Sequence, residues 1–239
     1  GMLVQRINPV SGEVITTSEK QINHSLLTGD QDQSDEESDE KESRAERKER
    51  ERLDKIIDEG DAFSKYMRFQ NIYYTNDGGL IVVAEKYHHY FYTSQYYTAG
   101  SGTTPGRWTS TTYSVYECGD LLMCKIDNGG NIGWMRVLPK AQREVIQVGY
   151  SSGFGFPGYF DPSNRPFYAG FGALQTNNAI QILFNDNPRN ATVTQPGQKI
   201  KSARRFGKSD CFIIKVDLAD GKAERRMFFT NADVPTSRF

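Results

Sequence analysis

The sequence is poor in the residues on which most site chemistry depends. Its 239 residues include only three cysteines, three histidines and two tryptophans. An odd, sparse cysteine set (Cys118, Cys124, Cys211) excludes a disulfide scaffold, and no two are spaced as a zinc knuckle or a C-x-x-C redox pair. No run approaches the ~18 apolar residues a membrane helix needs, and no charged-then-apolar leader precedes the first strand-like segment. Charge of one sign is also missing: 29 bases against 30 acids leave a net charge of −1, so there is no overall basic excess to attract nucleic acid. What the chain does have is length enough for one or two domains, of which about 70% of the unfolded surface can be buried without covalent help.

The near-neutral total conceals an uneven distribution. Residues 30–59 carry 14 acids and 7 bases, leaving the remainder at +6. Glu37 and Lys41, Glu40 and Arg44, Glu46 and Arg50, and Glu51 and Lys55 each stand four apart with the acid first, which favours a helix. Leu53, Ile56, Ile57, Phe63 and Met67 add a weak apolar stripe. The expectation is a charged helical insertion over 30–66 within a single β domain spanning 1–239.

Outside that insertion the chain reads as strands and turns, and three hairpins superimpose. Leu3–Asn8 turns into Glu13–Thr16; Leu121–Asp127 turns through Asn128-Gly129-Gly130-Asn131 into Ile132–Val137; Cys211–Asp217 turns through Leu218-Ala219-Asp220-Gly221 into the segment from Lys222 to Phe229. In each, a basic residue, a β-branched residue and Asp or Asn recur in register, followed by glycine where a tight turn needs positive φ. A preceding strand, Asp77–Glu85, matches Asn177–Asn185 at an offset of 100 residues, whereas the hairpins recur at 90. Candidate strands at Phe69–Tyr74 and Phe167–Leu174 bring each unit to four. Four short antiparallel strands repeated along a chain mark a β-propeller blade.

The run Asp77-Gly-Gly-Leu-Ile-Val-Val-Ala-Glu85, then Asp120-Leu-Leu-Met-Cys-Lys-Ile-Asp127, then Gly130-Asn-Ile-Gly-Trp134 ending in Pro139-Lys140, resembles blades of uncharacterised bacterial secreted β-propeller repeat proteins. The resemblance covers residues 67–140 well and 167–230 loosely. It departs at the aromatic loops, at the acidic insertion, and at Glu224 and Arg225, which stand where the second hairpin has Trp134. It implies an all-β, propeller-like fold and a periplasmic or extracellular location in a bacterium. The chain supplies about two and a half blades, whereas a closed ring takes roughly 4 to 8. Open strand edges invite pairing, so a homo-oligomer or strand-edge partner is expected.

Most motif matches fail on context. Gly149-Tyr150-Ser151-Ser152-Gly153 fits a nucleophile elbow, but Gly155, Pro157, Gly158 and Pro162 leave no helix after it, and His24, His88 and His89 all precede Ser151. Gly153–Gly158 fits a dinucleotide fingerprint without its helix, and Gly100–Trp108 lacks the G-K-[ST] of a phosphate loop. His88 and His89, as strand neighbours, point to opposite faces. Asp186 among Asn185, Asn187 and Asn190 offers oxygen ligands but one carboxylate, as an Asn-rich turn also would. Cys124 and Cys211 fall on strand positions that suit small buried hydrophobes. No metal, cofactor or catalytic residue is expected.

The functional hint is aromatic. Of 29 aromatic residues, 17 fall within 87–116 and 150–171, among Gly, Ser, Thr and Asn. Tyr92, Tyr96, Tyr97, Trp108 and Tyr159 are candidate ligand-binding residues, since such rings give contact area with a polar handle at low entropy cost. The competing expectation is that these long loops fold back and bury the rings as a second core. The expected function is a noncatalytic binding or scaffold module for a glycan or a protein, without nucleic acid or a membrane span. The alternatives are a glycan-processing enzyme using Glu85 and Asp186, and a structural subunit that self-associates.

Overall fold

A computed structural model describes residues 2–21, 47, 51, 67–152, 158–159 and 165–233. The fold is mostly β-strand, and its named strands all pair antiparallel. Arg47 and Glu51 are helical and paired at 3.6 Å, while the rest of the charged stretch 30–66 lies outside the described residues.

The first hairpin is β1 (Met2–Ile7) and β2 (Val14–Lys20). A first sheet follows from β3 (Met67–Tyr74), β4 (Leu80–Thr98), β5 (Arg107–Ile126), β6 (Ile132–Leu138), β7 (Gln142–Ser152) and β8 (Gly158–Tyr159). The second sheet is a plain meander of β9 (Gly172–Gln175), β10 (Ala179–Asp186), β11 (Asp210–Asp217) and β12 (Ala223–Phe229). Its counterpart within the first sheet is β3, β4, β5 and β6, so the two four-strand units expected from the repeat are present. They do not close into a ring among the described residues.

Alternation of side chains assigns each unit two faces. Ile81, Val83, Leu121, Met123 and Trp134 of the first sheet pack against Ile180, Ile182, Phe184, Ile214 and Val216 of the second, forming the main core. The opposite face of the first sheet packs Val82, Cys124 and Ile126 against Met2 and Val4 of the hairpin. At the repeat offsets, Val82 corresponds to Ile182 and Cys124 to Ile214, so both sheets receive the preceding unit on the same face. The units therefore stack with one polarity: hairpin, first sheet, second sheet.

The turns carry the same rule. Gly12, Gly130 and Gly221 occupy equivalent positions at φ of 73°, 89° and 71°, conformations that glycine adopts without steric cost. Thr16 Oγ1 donates to the carbonyl of Gly129 at 2.9 Å, and the Trp134 indole, in the next unit, donates to that of Leu218 at 3.2 Å. A Cβ on Gly130 would lie 3.1 Å from the Arg6 Cβ, and one on Gly221 would lie 2.6 Å from the Trp134 ring. A Cβ on Gly12, at the head of the stack, would meet nothing within 4 Å among the described residues.

One departure from expectation reshapes the first sheet. The aromatic segment 87–118 is not a loop. Beyond a bulge at Glu85/Tyr87, β4 and β5 continue paired from Tyr87–Cys118 to Thr98–Arg107, and β7 joins β5 along Thr109–Cys118. Since β6 and β7 run consecutively along β5, with Pro139 in the break, the arm is a continuation of the first sheet, about 40 Å long at the usual rise per residue.

Candidate functional site

Three features carry unusual chemistry: a buried polar chain between the sheets, the aromatic arm, and a basic pocket.

The polar chain starts at Glu85, on the last residue of β4 before the bulge. Its carboxylate is 2% exposed and accepts from Lys140 Nζ at 2.7 Å and from Gln70 Nε2 at 2.7 Å. Lys140 follows Pro139 in the break between β6 and β7, which turns its ammonium inward. It also donates to the Cys118 carbonyl at 3.1 Å and to Gln142 Oε1 at 2.7 Å. Gln142 Nε2 donates across to the Asn185 carbonyl at 2.7 Å, and Asn185 Nδ2 donates to the Tyr168 carbonyl at 3.1 Å. Beside it, Glu144 accepts three backbone N–H bonds from Phe167, Tyr168 and Ala169 at 3.1, 2.8 and 2.8 Å, pinning the segment that enters the second sheet. The ion pair is buried within the first sheet, and the bond from Gln142 to Asn185 carries the chain across to the second.

Asp186 is held by three donors. Arg225 donates to Oδ2, Asn190 Nδ2 to Oδ1 at 2.9 Å, and the Asn187 N–H to Oδ1 at 2.8 Å. The Arg225 guanidinium lies 4.5 Å from the Phe212 ring centroid and 5.2 Å from that of Phe184, filling the place of a bulky apolar side chain. Burial pushes the Asp186 carboxyl above its ordinary value, while Arg225, Asn190 and the Asn187 N–H pull it down. The Asn-rich turn is thus closed around an arginine. Glu85 and Asp186 serve separate ion pairs, each buried, and form no acid–base dyad.

Asp120, beside the bulge, accepts the Lys140 N–H at 3.1 Å, and burial lifts its carboxyl to about 6. The three cysteines are free and buried, with thiols pushed by burial to about 12 (Cys118), 11 (Cys124) and 11 (Cys211), so none is a thiolate at neutral pH. His88 and His89 do point to opposite faces: His88 reaches Glu117 at 3.5 Å, while His89 contacts Ser114 Oγ at 2.7 Å and stacks on Tyr116 at 4.3 Å. Ser151 lies in β7 opposite Ser110, on extended backbone rather than at an elbow. Among the described residues no cluster of three His, Cys, Asp or Glu could hold a metal, and no helix is long and apolar enough to cross a membrane.

The arm divides the candidate aromatic residues between two faces. Tyr92 and Tyr96 alternate along one face, where Tyr92 stacks on Tyr113 at 5.0 Å. Tyr97 and Trp108, a cross-strand pair at 5.2 Å, occupy the other. Tyr159 pairs through its backbone with Gly149, and its side chain lies outside what is described. Burial differs along the arm. Tyr90 and Tyr116 are buried near the base, whereas Phe91, Tyr96, Tyr97 and Trp108 are between 51% and 65% exposed toward the tip.

The pocket was not apparent from sequence motifs, although its signal is there in Lys199, Lys201, Arg204, Arg205 and Lys208. It is a cavity of about 310 Å³ between Asn187–Arg189 and the 201–209 segment, lined by Arg189, Lys201, Arg204, Arg205 and Lys208 and by no carboxylate. Ala203 fixes it to the base of β7 through a bridge to Gln142. Compared with known proteins, the chain matches no family profile, no curated protein and no solved structure.

Proposed function

We propose that this chain is a noncatalytic recognition module, a short arc of propeller-type blades whose aromatic arm binds oligosaccharides, working in the periplasm or at a bacterial surface. The observation that carries this reading is the tip of the arm, where Tyr96, Tyr97 and Trp108 stand exposed on a hydrogen-bonded ribbon rather than on a loop. Rings held rigidly in water offer apolar faces on which sugar rings stack, with little ordering cost on binding. The polar groups with catalytic potential, Glu85 and Asp186, are instead consumed by internal partners.

Trp108 gives the test its probe, because the other tryptophan, Trp134, is 7% exposed in the core. Titration with neutral, uronate-containing and sulfated oligosaccharides should change Trp108 emission saturably for one class, and Tyr97→Ala should remove the response. No response to any class up to about 10 mM, where even weak sugar binding registers, overturns the reading. Turnover of any of these sugars that Glu85→Gln abolishes would establish an enzyme instead.

A second reading is favoured by the basic pocket, whose lining suits an oxyanion. Inorganic phosphate at fixed ionic strength should then raise Tm, and Arg204→Ser should cancel the rise. An unchanged Tm removes this reading and leaves the first intact.

A further inference from the structure

The basic pocket and the exposed rings belong to one face of the arm, the pocket at its foot and the rings toward its tip. Past the bulge, β4 and β5 pair in unbroken register, so Tyr87, Phe91 and Tyr97 share a face with their partners Cys118, Ser114 and Trp108. At the foot of this face Tyr87 and Cys118 pack with Ala203 and Phe206, from the 201–209 segment that walls the pocket. That segment runs parallel to β7 where Ala203 bridges Gln142, and β7 leads from Gln142 at the foot to Ser152 near the tip. Ten residues at about 3.4 Å each set Tyr97 about 34 Å beyond Tyr87.

The chemistry changes along this line. Between Phe91 and the Tyr97–Trp108 pair, β4 and β5 present only Thr93, Gln95, Ser110 and Thr112 on this face, with Thr93 and Thr112 bonded at 3.1 Å. Exposed rings spaced by hydroxyl and amide groups, without charge, suit sugar rings and their hydroxyls. At the foot, the pocket gathers three arginines and two lysines and no carboxylate, and the planar forks of arginine fit an oxyanion. A ligand that satisfies both ends is a chain of sugars bearing an acidic group. Resting on the oligosaccharide reading of the arm and the oxyanion reading of the pocket, we propose that the two are one extended site for a linear acidic oligosaccharide. A carboxylate or sulfate is held at Arg204 and Lys208, both exposed at the pocket, while successive sugar rings lie along Phe91, Tyr97 and Trp108. Joining the two contacts in one ligand makes the second intramolecular, so a chain long enough to reach both gains affinity that neither contact has alone.

Titration calorimetry with matched octasaccharides and disaccharides of neutral, uronate and sulfated units, in the gluco and galacto series, tests this. An acidic octasaccharide should bind at least about 10-fold tighter than its neutral counterpart and than the acidic disaccharide. The tighter of the uronate and sulfated chains identifies the acidic group. Combining Arg204→Ser with Lys208→Ser should remove the advantage of the acidic chain over the neutral one, and Tyr97→Ala should bring the acidic octasaccharide down to the disaccharide. The same advantage should shrink between about 0.05 and about 0.5 M salt, as screening of exposed charges requires. Unchanged circular dichroism spectra would verify that the variants fold. Equal binding of acidic and neutral octasaccharides overturns the joined site, as does an acidic disaccharide that binds as well as the octasaccharide, or an advantage that survives the double variant. In each of these cases binding of the neutral octasaccharide decides the arm separately. No binding by any chain overturns both.

Discussion

The two sheets are built on one plan and differ where strand two passes to strand three. In the first sheet that passage is the arm, which lengthens β4 and β5 to 19 and 20 residues; in the second, β10 and β11 stay at 8 residues each and a loop with two 3-10 turns forms the basic pocket. The packing faces are held to the repeat, because each must fit the next unit. The passage lies outside that contact and is free to vary. This is why the aromatic and cationic features sit at equivalent points of the two units, and why a search for one repeated site would fail.

The sharpest way to break the comparison is through the buried ion pair of the first sheet, at the base of the arm. Lys140→Met leaves the Glu85 carboxylate buried without its cation, and should cost about 3–5 kcal/mol in urea unfolding. Adding Glu85→Gln should recover most of it, since the pair would then be uncharged.

The equivalent turns offer a graded contrast. Gly221→Ala should cost about 2–3 kcal/mol, combining positive-φ strain with collision against Trp134. Gly12→Ala, at the same φ in open space, should cost only about 1 kcal/mol. Equal losses in a melting comparison would mean that the Trp134 contact adds nothing to the cost at Gly221.

Asp120→Asn tests the bulge that divides the four-strand unit from the arm. A carboxyl raised to about 6 is favoured protonated in the fold, so its contribution is full below the unfolded value near 4 and is lost as pH rises through 6. The asparagine variant should therefore be more stable than the parent by about 1–2 kcal/mol at pH 7, and no more stable at pH 3.5. A gain that persists unchanged at pH 3.5 would refute this origin. The smallest effect is expected at the arm tip, where Trp108→Ala should alter stability by less than about 0.5 kcal/mol, as measured by urea unfolding.

The repeat was legible because its cues are local: Lys-x-Asp, glycine two or four residues on, and an apolar strand at a fixed offset. The three hairpins, both preceding strands and the burial of Cys124 and Cys211 followed from these. The arm reads as loop in the sequence because Tyr, Thr, Ser and Gln alternate along it without an apolar face, so the period of two that marks a half-buried strand is faint. The ties were hidden for a different reason. Lys140 and Glu85 are 55 residues apart, and only the pairing of β4, β5, β6 and β7 brings them together. The apportioning of Tyr92 and Tyr96 to one face, and of Tyr97 and Trp108 to the other, depended on a register that no composition reveals.

The unbroken run of β5 from the core to the tip of the arm has a mechanical consequence. A pull on the tip along the ribbon runs down the covalent chains of β4 and β5, and the cross-strand bonds that hold β5 to β7 and β4 to β3 then bear it together in shear instead of unzipping singly. Whatever the tip holds would be tethered through a ladder that must fail all at once, anchored at its base by the stacked sheets. The arm is built as a cable as much as a surface.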